Sequence, residues 1–174
     1  MSASQLNCAA ACNCVALPAV TTSTLAELHD LPLLPHPASG AGPVRSVQVS
    51  ARLGADGLLA IAYELRAVLP QLRLASASER AQRRDELWRH TCFELFAQRG
   101  GQEGYLEFNF APSGDWAAYQ FDGYRRGQRA FAQRRIGVTT QLLAADRLQL
   151  RAQAELGTAT DWQLRPAAVI EAGD

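Results

Sequence analysis

The chain has 174 residues, of which 48% are hydrophobic and 20% charged, and its formal net charge is zero. That size fits one domain able to bury its own core without disulfides or metals. A neutral chain offers no electrostatic case for nucleic acid or an acidic membrane surface as partner, and no apolar run reaches the ~20 residues that span a bilayer.

Residues 1–33 read as an N-terminal extension with Ala, Cys and Pro, expected to be poorly ordered. Cys8, Cys12 and Cys14 crowd into it. Their spacing has no His nearby and matches no common zinc pattern, so reduced thiols and a cytoplasmic location are expected. The tail lacks the basic stretch that opens a secretory signal. Pro18, Pro32, Pro35, Pro37 and Gly40 are breakers, and 25–29 has room for one helical turn at most.

From Val44 the texture changes. Residues 44–53 alternate apolar and polar, Gly54-Ala55-Asp56-Gly57 makes a turn, and 58–68 runs apolar, which is a hairpin signature. The Arg-rich stretch 76–86 reads as an exposed loop or short helix with a solvated charged face. Strands are predicted at 87–98, 105–110 and 116–121, joined by Gly-rich and Pro-Ser-Gly turns, with a polar loop or helical turn at 125–133. A further hairpin spans 136–143 and 147–156, and a last strand 162–171. No sustained period of 3.6 is present. Short strands with polar turns predict an all-β chain folded as an antiparallel sandwich or barrel.

The chemistry gathers in the predicted strands at 87–98 and 105–110. Alternation puts Trp88, His90, Cys92, Glu94 and Phe96 on one face. In the next strand Tyr105, Glu107 and Asn109 oppose Leu106, Phe108 and Phe110. Paired as a hairpin, these strands place Trp88, Glu94, Glu107 and Asn109 on one surface. An indole beside carboxylates and an amide suits a sugar: the apolar face of the ring stacks, and the hydroxyls find fixed acceptors and donors. Arg125 is a lesser candidate. The competing reading makes Trp88 a core-edge residue and pairs Glu94 with an Arg.

The run Leu87-Trp88-x-x-x-Cys92-Phe93-Glu94-Leu95-Phe96, then Tyr105 through Trp116, then Phe121-Asp122-Gly123-Tyr124, resembles bacterial DOMON-like domains related to family 9 carbohydrate-binding modules. Such domains also occur fused to UDP-N-acetylenolpyruvoylglucosamine reductase, a cytoplasmic enzyme of cell-wall precursor synthesis. The resemblance covers 34–174 and implies an antiparallel β-sandwich that binds sugars or, in other branches, haem. It implies that Trp88 is the aromatic platform and that Glu94 takes sugar hydroxyls. The modules close their slot with a second aromatic from late in the domain. Here Trp162 is the remaining late aromatic, and the chain stops after Glu171 where relatives continue. A domain lacking its last strands is therefore expected, with an unpaired, apolar sheet edge available for self-association.

The haem branch needs a Met or Lys axial ligand. The one Met is Met1 and Lys is absent, so no haem is expected. His29, His36 and His90 are too scattered for zinc, and His90 reads as a hydrogen-bonded strand residue. Calcium, possible in the superfamily, has no clustered Asp motif to hold it. No metal, cofactor or catalytic residue is expected. The sequence thus reads as a non-enzymatic module for a saccharide or sugar-like metabolite. One alternative is a protein-interaction or regulatory module without small-molecule ligand. A third is a glycoside hydrolase using Glu94 and Glu107, whose separation would decide its stereochemistry.

Overall fold

The computed structural model describes residues 13–16, 20–21, 27–37, 39 and 42–173, the first two segments by their backbone. Cys8, Cys12 and much of the 1–33 tail lie outside the described residues, while 13–16, 20–21 and 27–33 of it, expected to be poorly ordered, are strand. The strands are β1 (Asn13–Ala16), β2 (Val20–Thr21), β3 (Glu27–Leu33), β4 (Val44–Leu53), β5 (Leu58–Ala67) and β6 (Cys92–Arg99). They continue with β7 (Tyr105–Phe110), β8 (Trp116–Phe121), β9 (Arg129–Ala130), β10 (Gly137–Ala144), β11 (Arg147–Glu155) and β12 (Trp162–Ile170). Every pairing between strands is antiparallel. One sheet runs β1-β12-β6-β7-β8-β9, with β2 also on β12; the other runs β10-β11-β5-β4-β3. The described residues hold no α-helix and no helix long and apolar enough to cross a membrane.

Period-two alternation builds the sandwich. Val47, Val49, Ala51 and Leu53 of β4 face inward with Leu59, Ile61, Tyr63 and Leu65 of β5. They meet Phe93, Leu95, Leu106, Phe108 and Phe110 of the other sheet in one core. Gly57 closes the β4–β5 turn at φ 77, and a Cβ there would lie 2.5 Å from the Gly157 backbone, so only glycine fits. Tyr63 crosses the core: its ring packs 5.1 Å from that of Phe93, and its hydroxyl donates to the Glu94 carbonyl at 2.6 Å. Tyr63→Phe is expected to destabilise the protein by about 1–2 kcal/mol, because a buried acceptor loses its partner. Thermal unfolding followed by circular dichroism measures this.

Three expectations are corrected. Residues 27–29 are strand, not a helical turn; β3 pairs with β4, with a register shift between Leu28 and Leu31. The sandwich therefore takes in residues ahead of Leu34, and Leu33 belongs to its core. The strand predicted from Leu87 begins at Cys92. Residues Leu87–Arg89 form a 3-10 turn entered through Glu86 at φ 61, a left-handed conformation that breaks the extended run. The β12 edge away from β6 carries β1 and β2.

Candidate functional site

The outward face of the larger sheet holds most of the predicted residues. The register aligns them in rows across β12, β6, β7 and β8. Ala167, Glu94, Asn109 and Ala117 form one row. Arg165, Phe96, Glu107 and Tyr119 form the next. Gln163, Gln98, Tyr105 and Phe121 follow. Glu94 thus has an alanine two strands away on one flank and one strand away on the other.

Among the described residues neither Glu94 nor Glu107 has an ion-pair partner. Burial, with the Glu107 charge beside it, pushes the Glu94 carboxyl up to about 8. Burial also raises Glu107, against the pull of a hydrogen bond from the Asn109 amide, 2.9 Å from Oε1. Glu94 is therefore a neutral acid at pH 7, able to donate as well as accept, whereas Asn109 favours the charged form of Glu107.

Asn109 departs from its expected role. It is fully buried, its amide committed to Glu107 and its carbonyl to the Cys92 thiol at 3.6 Å, so it orients Glu107 and does not reach a ligand itself. Cys92 is buried beneath the same face, and burial pushes its thiol well up. It is a neutral, packed group, not a reactive one.

Trp88 comes from the 3-10 turn, so strand alternation does not set its direction. The turn lies against β6 and β7. Leu87 packs on Ala117, Tyr119 and Phe121, which places the turn on the same side of the sheet as Glu94. The indole is 40% exposed. One of its faces is taken by the Arg89 guanidinium, 5.4 Å from the ring centroid, and Arg89 is held in turn by Glu86 at 2.8 Å. His90 leaves the turn outside any strand and bonds Glu171 at 3.0 Å. Arg125, at φ 53 with its side chain over Tyr124, lies near the Tyr105 end of the face, where its backbone acts on the Tyr105 hydroxyl. Tyr105 and Asn109 are four residues apart on one strand, about 13 Å. Arg125 therefore lies well away from the row that holds Glu94 and Asn109.

The loop before the turn is more than a solvated charge run. The Arg83 guanidinium covers the Tyr119 ring at 5.3 Å, and Asp85 accepts from the Tyr119 hydroxyl at 2.6 Å. Asp115 ties this loop to β8: the Ser78 and Ser113 hydroxyls, the Gln82 N–H and the Arg84 guanidinium all donate to its carboxylate. Sequence reading missed Asp115 and Tyr119; the Ser113-Gly114-Asp115 turn carried a signal for the first, and nothing pointed to the second. Trp162, the late aromatic, is buried in the core under Arg99, so it supplies no second wall.

Two clefts form elsewhere. One, of about 570 Å3, lies on the outward face of the smaller sheet over Ser50, Ala60, Ala62 and Arg151. The other, of about 490 Å3, lies beside the turn between Arg73, Arg84, His90, Asp115 and Glu171. Neither is lined by Trp88, Glu94, Glu107, Asn109 or Arg125. The face itself is largely covered, since Asn109, Ala117, Tyr119 and Phe121 are buried and Trp88 remains exposed at it. Among the described residues no three His, Cys, Asp or Glu side chains gather as a metal would require.

In class the molecule is an antiparallel β-sandwich with a polar, carboxylate-bearing outer face. Comparison with protein-family models, curated proteins and solved structures finds no match.

Proposed function

We propose that the chain is a non-catalytic binding module, of the DOMON-like and family 9 carbohydrate-binding kind, that holds a saccharide or sugar-like metabolite on the outward face of the larger sheet. The observation that supports this most is the exposed Trp88 indole, set on the same side as two carboxyl groups that have no ion-pair partner among the described residues. The sugar ring stacks on the indole face that Arg89 leaves open. Protonated Glu94 donates to one hydroxyl and Glu107 accepts from another; Arg125 serves only a ligand long enough to cross the face. Few polar contacts offset the ligand's loss of freedom, so affinity is weak and exchange fast. The module needs no cofactor. We place it in the cytoplasm, where the buried Cys92 thiol stays reduced.

Trp88→Ala is expected to abolish saccharide-induced chemical-shift changes while leaving the melting temperature within about 2 °C, since the side chain is outside the core. Titration of a panel of mono- and disaccharides, amino sugars included, checks this. No shift with any member of the panel would count against sugar binding and favour a protein-interaction role. The hydrolase reading has one point in its favour, the unequal surroundings of Glu94 and Glu107. Release of aryl alcohol from aryl glycosides, lost in Glu94→Gln, would establish it.

A further inference from the structure

Edges of a β-sheet carry unpaired N–H and C=O groups, and most proteins defend them. Among the described residues the edges here are unequal. The β3 edge has Pro32, Asp30 at φ 48 and a register shift, and it bears Glu27, His29 and Asp30. The β9 edge is two residues long. The β10 edge has none of these devices over most of its length. Its eight residues, Gly137-Val138-Thr139-Thr140-Gln141-Leu142-Leu143-Ala144, include no charge and no proline, and its one irregularity falls at the end, after Leu142. β10 pairs with β11 alone.

The strand is also undercovered. Thr140 and Leu142 stand opposite Leu150 and Leu148, both buried core residues. They therefore point to the core side, yet Leu142 is 63% exposed and Thr139 through Ala144 are all exposed. An inward-facing leucine left in water at the end of a bare ladder calls for another strand.

We propose that β10 pairs antiparallel with β10 of a second copy of this chain, about a twofold axis through Thr140. A second copy suits this edge because a strand paired with itself sets each central residue against its own equivalent or a near neighbour. Any charge there would face a like charge, and β10 has none. Opposed residues in an antiparallel pair point to the same side, so centring on Thr140 puts Leu142 of one copy against Val138 of the other. Both lie on the core side, and the two five-stranded sheets become one of ten. A single strand pair buries less than the roughly 1,200 Å2 of a standard interface, so the dimer is weak, with a dissociation constant of about 10 μM.

Sedimentation velocity of the full chain from about 1 to about 500 μM should carry it from monomer to dimer. Thr140→Lys sets two ammonium groups against each other on the axis and is expected to weaken dimerisation at least about tenfold, with an unchanged circular dichroism spectrum. Thr140→Cys is expected to give a disulfide-linked dimer under mild oxidation, beyond any seen with the wild-type chain and its own cysteines. A wild-type chain that stays monomeric throughout overturns the proposal, as does a dimer indifferent to Thr140→Lys. If Thr140→Lys unfolds the protein, the cysteine variant decides, and absence of the cross-link overturns it.

Discussion

Glu94→Gln is expected to stabilise the protein at pH 8 by about 2–4 kcal/mol, raising its melting temperature by about 5–10 °C. In the folded chain the Glu94 carboxyl is pushed up to about 8, against 4.5 without the fold. Between those values the folded state keeps a proton that the unfolded state has released. Stability therefore falls as pH rises through the window, by at most about 1.4 kcal/mol per unit, and levels off once the folded carboxyl has ionised. Below pH 4.5 both states are protonated and the penalty vanishes. Part of the side chain meets water, which keeps the total below the full shift. Gln has the shape of the protonated acid and never ionises, so its melting temperature should stay nearly flat over the same range.

Other groups do not obscure this. Glu107 is also raised, by burial, and adds a slope of the same sign that both proteins share. Asp56, Asp85, Glu155 and Asp161 are held below their usual range by hydrogen bonds from Leu58, Tyr119, Arg135 and Arg99 respectively, so they act with the opposite sign in more acid solution. Melting curves of both proteins at half-unit steps from pH 5 to 8 provide the measurement. Parallel curves would show that Glu94 ionises freely at neutral pH.

Asp115→Ala is expected to cost about 2–4 kcal/mol and to disturb the Trp88 site from a distance. The carboxylate is 5% exposed, and four donors converge on it from Ser78, Gln82, Arg84 and Ser113. Removing it leaves the buried donors among them unmatched. It also releases a loop whose backbone is stitched to Ser113 and Trp116 on both sides of that residue. That loop leads through Asp85 and Glu86 into the turn bearing Trp88. Two readouts separate the effects: thermal unfolding gives the cost, and amide hydrogen exchange should rise in 76–89 before it rises in β6 or β7. Uniform exchange across the molecule would show that Asp115 supports the whole sandwich and not this loop in particular.

β4, β7 and β8 match the strands expected from alternation and turn residues alone. Their two faces differ sharply in polarity, as Leu106, Phe108 and Phe110 against Tyr105, Glu107 and Asn109 show. The start of β6 was not legible, because Leu87 to Thr91 has strand-like residues but a backbone turned by Glu86. β3 was masked by Pro32, which an edge strand tolerates. Asn109 illustrates the limit for the site: its face was correct, yet burial of the amide against Cys92 and Glu107 depends on packing across strands.

What the amino-acid order alone determined is local: where strands run, where they turn, and which side chains share a face, since each follows from a period of two and from the conformational limits of Gly and Pro. Which acid stays protonated, whether the Trp88 indole is open or covered by Arg89, and which sheet edge is left bare were decided only by tertiary structure. Those properties depend on residues far apart in the chain meeting at distances of a few ångströms, where burial and neighbouring charge take effect.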